Sequence, residues 1–173
     1  MLSVSPAAPT LRPITDADLD FLHRLYATTR EEELARVPWT DEQKALFVRQ
    51  QFEAQHAWWT EHYPGATFDV VLLRGEPIGR LYVDRWEREI RIVDIALMPE
   101  WRGSGIGTGL FRRVFAEGDA AGKPVSIHVE VFNRARQLYE RLGFEYREGG
   151  TDVYLLMVRP PAGAAATTVS AGD

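Results

Sequence analysis

"IALMPEWRGSGIGTGL", residues 95–110, decides how this chain is read. Its loop places glycine at every second position, from Gly103 through Gly105 and Gly107 to Gly109. An apolar run precedes it and a helix-like pattern follows. Glycine lacks a Cβ, so it permits unusual dihedrals and lets a ligand approach the main chain. A helix N-terminus carries unpaired N–H groups and a partial positive charge. Together these predict an anion site, and phosphate is the usual anion.

Three nucleotide or hydrolase motifs compete for the loop, and each fails. G-x-G-x-x-G counted from Gly103 ends on Thr108, and from Gly105 on Leu110. The P-loop requires Gly-Lys-Ser/Thr, which the chain lacks. The serine-hydrolase elbow requires glycine two residues before Ser104, and that residue is Arg102. What remains is R-x-x-G-x-G, from Arg102 through Gly105 to Gly107, between a strand and a helix.

The surrounding chain is that of one ordinary globular domain. It has 173 residues, 45% hydrophobic and 26% charged. There is no cysteine, which excludes disulfides, thiolate metal sites and a cysteine nucleophile, and suits the cytoplasm. The net charge of −5 argues against nucleic acid as partner and favours encounter with cations. "MLSVSPAAPT" has neither the basic nor the apolar region of a secretory signal. No apolar run is long enough to span a membrane. Residues 1–9 and the small, polar stretch 160–173 read as disordered, leaving a domain over residues 10–159.

The period of the pattern gives the elements. "TLRPI" reads as a strand, and Thr15 or Asp16 can cap a helix carrying Leu19, Leu22, Leu25 and Tyr26. A second helix starts from a cap at Thr40 or Asp41 and stops before "YPG" at 63–65. "TFDVVLLRGEPIGRLYVDRW" reads as two strands with a turn at Gly75–Pro77. "EIRIVDIALM" is a strand apolar enough to be buried on both faces. After the loop come a helix from about Gly105 to Ala121, a strand, a short helix and two strands. The order β-α-α-β-β-β-α-β-α-β-β predicts an α/β fold, a mixed sheet with helices on its faces.

Two segments together resemble the GNAT superfamily of acetyl-CoA-dependent N-acetyltransferases. "IALMPEWRGSGIGTGL" is similar to that family's strand, proline and Q/R-x-x-G-x-G/A loop. "NRARQLYERLGF", residues 133–144, is similar to its N-x-A-x-x-x-Y-x-x-x-G-F segment. The resemblance covers about residues 10–158 and implies a central, mostly antiparallel sheet with helices on both faces. It implies that acetyl-CoA is the co-substrate and a primary amine the acceptor, with no metal. Its pyrophosphate would lie on Gly103, Ser104, Gly105, Ile106, Gly107 and Thr108, with Arg102 leading the loop. Its pantetheine arm would run beside Ile95, Ala96 and Leu97 and near Asn133. Asn133 also reads as a helix cap. The same fold would suit a module that binds acyl-CoA as a sensor without turnover, and monomer and homodimer are both compatible.

Acetyl transfer needs a neutral amine, a polarised thioester carbonyl and a proton for the departing thiolate. The resemblance makes Tyr139 the general acid, against a reading as a core aromatic. The base is open between Glu130, Asp94 and a water chain. Asp94 interrupts an apolar strand, and a buried carboxylate needs a reason, catalytic or a pairing with Arg80 or Arg91. The histidines show no helical ligand spacing, so no metal is expected. In the family the first two helices cover the acceptor. Glu32, Glu33 and Trp39, in "REEELARVPWT", are therefore the expected acceptor contacts, for a small cationic amine.

Overall fold

The computed structural model describes residues 7–164. The expected segments 1–9 and 160–173 therefore fall mostly outside the described residues. Among the latter the chain forms β1 (Thr10–Pro13), α1 (Leu19–Leu34), α2 (Asp41–His62), β2 (Thr67–Leu73), β3 (Glu76–Arg85), β4 (Ile90–Leu97), α3 (Ile106–Ala121), β5 (Val125–Glu130), α4 (Arg136–Arg141), β6 (Glu145–Arg147) and β7 (Tyr154–Arg159). This is the order read from the sequence. The elements fall into two compact units, one of residues up to Arg85 with Ile92–Phe111, the other of Trp86–Arg91 with residues from Arg112 on.

In the first unit the strands run β1-β2-β3-β4. β1–β2 and β2–β3 are antiparallel, with Thr10 opposite Leu72 and Phe68 opposite Tyr82. The β2–β3 turn lies on Arg74 and Gly75, with φ of 51° and 81°, while Leu73 pairs with Glu76. Two successive positive φ angles make the hairpin twist match its strands. The turn therefore sits one residue earlier than Gly75–Pro77, because the loop has only two residues. α2 starts with a reciprocal cap: Thr40 Oγ1 accepts from Gln43 N at 3.2 Å, and Gln43 Oε1 accepts from Thr40 N at 2.9 Å. Phe21, Leu22, Leu25 and Tyr26 of α1 pack with Val48 and Phe52 of α2 and Val70 of β2. Leu22 and Leu25 have no exposed surface, and burying each contributes about 2 kcal/mol. Ala96 and Met98 lie against this cluster. Leu97 points the other way, where a Cβ on Gly107 of α3 would lie 3.7 Å from its Cδ1. Alternation along β4 thus puts helices on both of its faces.

In the second unit, β5-β7-β6 are antiparallel, with Val125 opposite Arg159, Glu130 opposite Tyr154 and Tyr146 opposite Met157. The start of β4 belongs here, and Ile90 N donates to Pro124 O at 2.9 Å. Phe115 of α3 meets Phe144 edge-on at 5.5 Å, and Arg159 bridges to Asp119 at 2.9 Å. These contacts fasten α3 over the strands of this unit.

Candidate active site

The loop after β4 is built to expose its own amides. Pro99–Trp101 form a single 3-10 turn, and α3 begins at Ile106. Gly103 and Gly105 have φ of 69° and 85°, and a Cβ on either would meet no atom within 4 Å. Dihedral strain, and not crowding, is what demands glycine there. Ser104 Oγ turns inward to Trp101 O at 2.6 Å. Gly109 N is the first amide to close a helical bond, to Gly105 O at 3.0 Å. The amides from Gly103 to Thr108 donate to no backbone acceptor among the described residues. A run of open N–H groups at a helix start suits the oxygens of a phosphate.

Arg102 does a different job from its neighbours. Its Nε donates to Leu97 O at 3.0 Å and its Nη2 to Thr28 Oγ1 at 3.0 Å. The guanidinium ties the loop to the end of β4 and to the middle of α1. The sequence suggested Arg102 for its place in the motif. Thr28 had no signal at all, since it is one threonine inside a helix.

β4 is less buried than its composition predicts. Ile90–Ile92 and Leu97 are buried, whereas Val93, Asp94, Ile95 and Ala96 are only half-buried. An apolar mid-strand left partly open is surface available to a ligand. Asp94 is held by Arg80, whose Nε lies 2.6 Å from Asp94 Oδ2, with side-chain exposures of 27% and 4%. Of the two arginines offered as partners, Arg80 takes the role. Arg91 instead donates from Nε to Ser126 Oγ at 2.8 Å, lies 3.1 Å from His128 Nδ1 through Nη1, and reaches Glu89 at 3.7 Å. Ser126 Oγ also donates to Glu89 Oε2.

In the second unit, Tyr139 is 7% exposed, on α4, with its ring 5.8 Å from that of Phe144. Asn133 Oδ1 accepts from Ala135 N at 2.9 Å and closes a turn ahead of α4, whose N-cap position is Ala135 and not Asn133. This bond and the cofactor reading of Asn133 do not compete, because the carboxamide nitrogen is a separate group. Glu130 ends β5, and its carbonyl accepts from Asn133 N at 2.9 Å. His128, one turn of the pleat earlier, has its pKa lowered by burial and by the Arg91 charge.

The expected acceptor contacts lie on the surface. Glu33 pairs with Arg30 at 3.1 Å and Glu32 with Arg36 at 3.6 Å, both carboxylates well exposed. Trp39 is 42% exposed and meets Phe47 edge-on at 5.3 Å. The neighbouring Glu31 faces differently: it lines a groove of about 420 Å³ between α1 and α2, with His23, Ala27, Leu34, Lys44 and Val48. Successive helical residues point about a hundred degrees apart, which is why one of three adjacent glutamates turns in and two turn out. No cluster of three His, Asp or Glu among the described residues could hold a metal.

Known proteins place the chain in a family. The sequence profile of the acetyltransferase (GNAT) family matches residues 21–144. The chain belongs to that family and carries its acyltransferase domain. It is 28% identical over 148 residues to an uncharacterized N-acetyltransferase of Methanocaldococcus jannaschii, a match covering 80% of this chain and 62% of that protein. It is 36% identical over 106 residues to the mycothiol acetyltransferase of Nocardiopsis dassonvillei, covering 60% of this chain and 26% of that one. The match thus spans less than two thirds of either relative. Among solved structures, the PaiA N-acetyltransferase of Thermoplasma acidophilum in complex with coenzyme A superposes with a TM-score of 0.66 at 14% identity, over 88% of this chain and 99% of that one. At that identity the likeness is one of fold. No helix among the described residues is long and apolar enough to cross a membrane.

Proposed function

We propose that this chain moves an acetyl group from acetyl-CoA to the primary amine of a small molecule. The open amides of Gly103–Thr108 carry the reading. They suit a pyrophosphate, and Ile95, Ala96 and Leu97 beside them, the first two half-buried, suit an extended pantetheine arm hydrogen-bonded as an added strand. Asn133 is the arm's second contact by its place in the motif. The amine nitrogen attacks the thioester carbon. The C–N bond forms, the C–S bond breaks, and the thiolate takes a proton from Tyr139 while the nitrogen loses one. A backbone N–H near Leu97 would polarise the carbonyl. Glu130 and Asp94 are the candidate proton acceptors. Glu32, Glu33 and Trp39 would meet a cationic acceptor at the α1–α2 link.

Thermal unfolding with and without acetyl-CoA, followed by thiol release over a panel of primary amines, tests this. A raised Tm together with amine-dependent thiol release supports it. A raised Tm without release from any amine would instead mark an acyl-CoA-binding module.

A further inference from the structure

Arg80 is the most deeply placed charge in the first unit, and its surroundings are unusual for a structural ion pair. The residue is 3% exposed. Its Cζ lies 5.0 Å from the Trp59 ring of α2 and 5.2 Å from the Tyr82 ring of β3, which fix the guanidinium plane. Nε grips Asp94 Oδ2 at 2.6 Å, and Nη2 reaches Gln55 Oε1 at 3.5 Å. Asp94 Oδ1 has no partner among the described residues, although the side chain keeps 27% of its surface. Tyr82 Oη, in the same cluster, is buried and also without a hydrogen-bond partner among them.

A buried pair of charges is poor value for stability alone, because desolvation offsets most of the attraction and an apolar pair of equal size does as well. Here the pair leaves one carboxylate oxygen unpartnered among the described residues, on a side chain that keeps 27% of its surface and on the residue next to Ile95–Leu97, the stretch read above as the coenzyme strand. An acceptor amine reacts only as the free base. A lone carboxylate would hold it as ammonium and suppress attack. A carboxylate already neutralised by Arg80 can accept an N–H bond without that penalty.

We propose that Asp94 Oδ1 receives the N–H of the acceptor amine and that Arg80 is its positioning residue, keeping the site electrically neutral so that the amine binds unprotonated. This rests on the acetyltransfer reading above. The other titratable groups facing Arg80 are His56 of α2, whose pKa is lowered by burial and by the Arg80 charge, and Tyr82, raised chiefly by burial, which also feels Asp18.

The test uses the full chain, with the best-used of benzylamine, spermidine and an alanine-initiated tripeptide as acceptor, and follows kcat against pH. Arg80→Met leaves Asp94 unbalanced. The acid limb of kcat should move up by about half a pH unit or more, and kcat/KM for the amine should fall about tenfold. Asp94→Asn leaves Arg80 unbalanced and should move the limb down. The double variant Arg80→Met/Asp94→Asn restores neutrality, so its limb should return to that of the wild type while the amine KM stays raised. Arg80→Lys should recover part of the loss, and His56→Gln should leave the limb in place. The acetyl-CoA KM should be unchanged throughout. A merely structural pair would lower Tm without moving the limb, and limbs that coincide in the variants that fold overturn the proposal. So does a wild type that binds acetyl-CoA but uses none of the three amines. A wild type that does not bind acetyl-CoA fails at the earlier step, the coenzyme reading itself.

Discussion

Arg102 and Thr28 are 74 residues apart in the chain and 3.0 Å apart in space. Through this bond, and the one from Arg102 to Leu97 O, the glycine loop is anchored at two points that glycines themselves cannot supply. Thr28 can accept because its own hydroxyl proton goes to Leu25 O at 2.7 Å. Arg102→Ala should cost about 1–3 kcal/mol, since hydrogen bonds from charged donors are the stronger kind. In a chain of this size that lowers Tm by about 3–8 °C. Acetyl-CoA affinity should fall with it, because the loop then pays to become ordered on binding. Thr28→Val should give a smaller loss of the same kind, and the two effects should be less than additive in a double-variant cycle.

The glycines of the loop should separate by conformation. Gly105→Ala places a side chain at φ of 85° and should destabilise by about 1–2 kcal/mol. Gly105→Asp adds a negative charge among the amides and should abolish the acetyl-CoA thermal shift in a protein that still unfolds cooperatively. Gly109 lies inside α3, where a Cβ would meet nothing within 4 Å. Gly109→Ala should therefore raise stability by about 0.5–1 kcal/mol in urea unfolding.

Tyr139→Phe keeps the ring against Phe144 and removes the proton. We expect kcat to fall by about ten- to a thousandfold, with acetyl-CoA binding nearly unchanged. Full activity in this variant would show that the thiolate leaves without it and that the ring serves packing.

His128 and Asp18 are among the groups that set the acid side of stability. His128 Nδ1 accepts from Arg91 in its neutral form, and burial first, then the Arg91 charge, lowers its pKa from 6.5. The unfolded chain then binds the proton more readily, so this contribution is complete above about pH 6.5 and is lost as pH falls from there. Asp18, gripped by Arg12 at 2.7 Å through both oxygens, is lowered from 3.8 to about 2. Its contribution holds above about pH 4 and is lost between there and pH 2. Urea unfolding across pH should show a slope that sets in as pH falls below about 6.5 and that His128→Asn reduces but does not abolish, since burial lowers His56 as well. Asp18→Asn should flatten the slope below pH 4. Because Arg12 is 41% exposed, solvent should screen that pair and keep the effect small.

The order of elements, the glycine loop and the family were all legible in the sequence, for one physical reason. Each rests on residues that lie close together along the chain: the apolar period that switches from helix to strand, the cap at Thr40 or Asp41 that opens the second helix, and the alternating glycines that follow Pro99. Such local patterns need no distant partner to be read. What the tertiary structure alone decided are the contacts between residues far apart in sequence. It gave Asp94 to Arg80 and not to Arg91, because Arg91 is taken by Ser126, His128 and Glu89. It turned Glu31 into the α1–α2 groove and left Glu32 and Glu33 outside with Arg36 and Arg30, because helix phase relative to the core cannot be fixed from three identical residues in a row. It brought Thr28 to Arg102, a bond with no local signature. Composition marked β4 as apolar enough to be buried on both faces, and only the packing around it left Val93–Ala96 half-open, since burial is a property of the neighbours a strand finds and not of its own side chains.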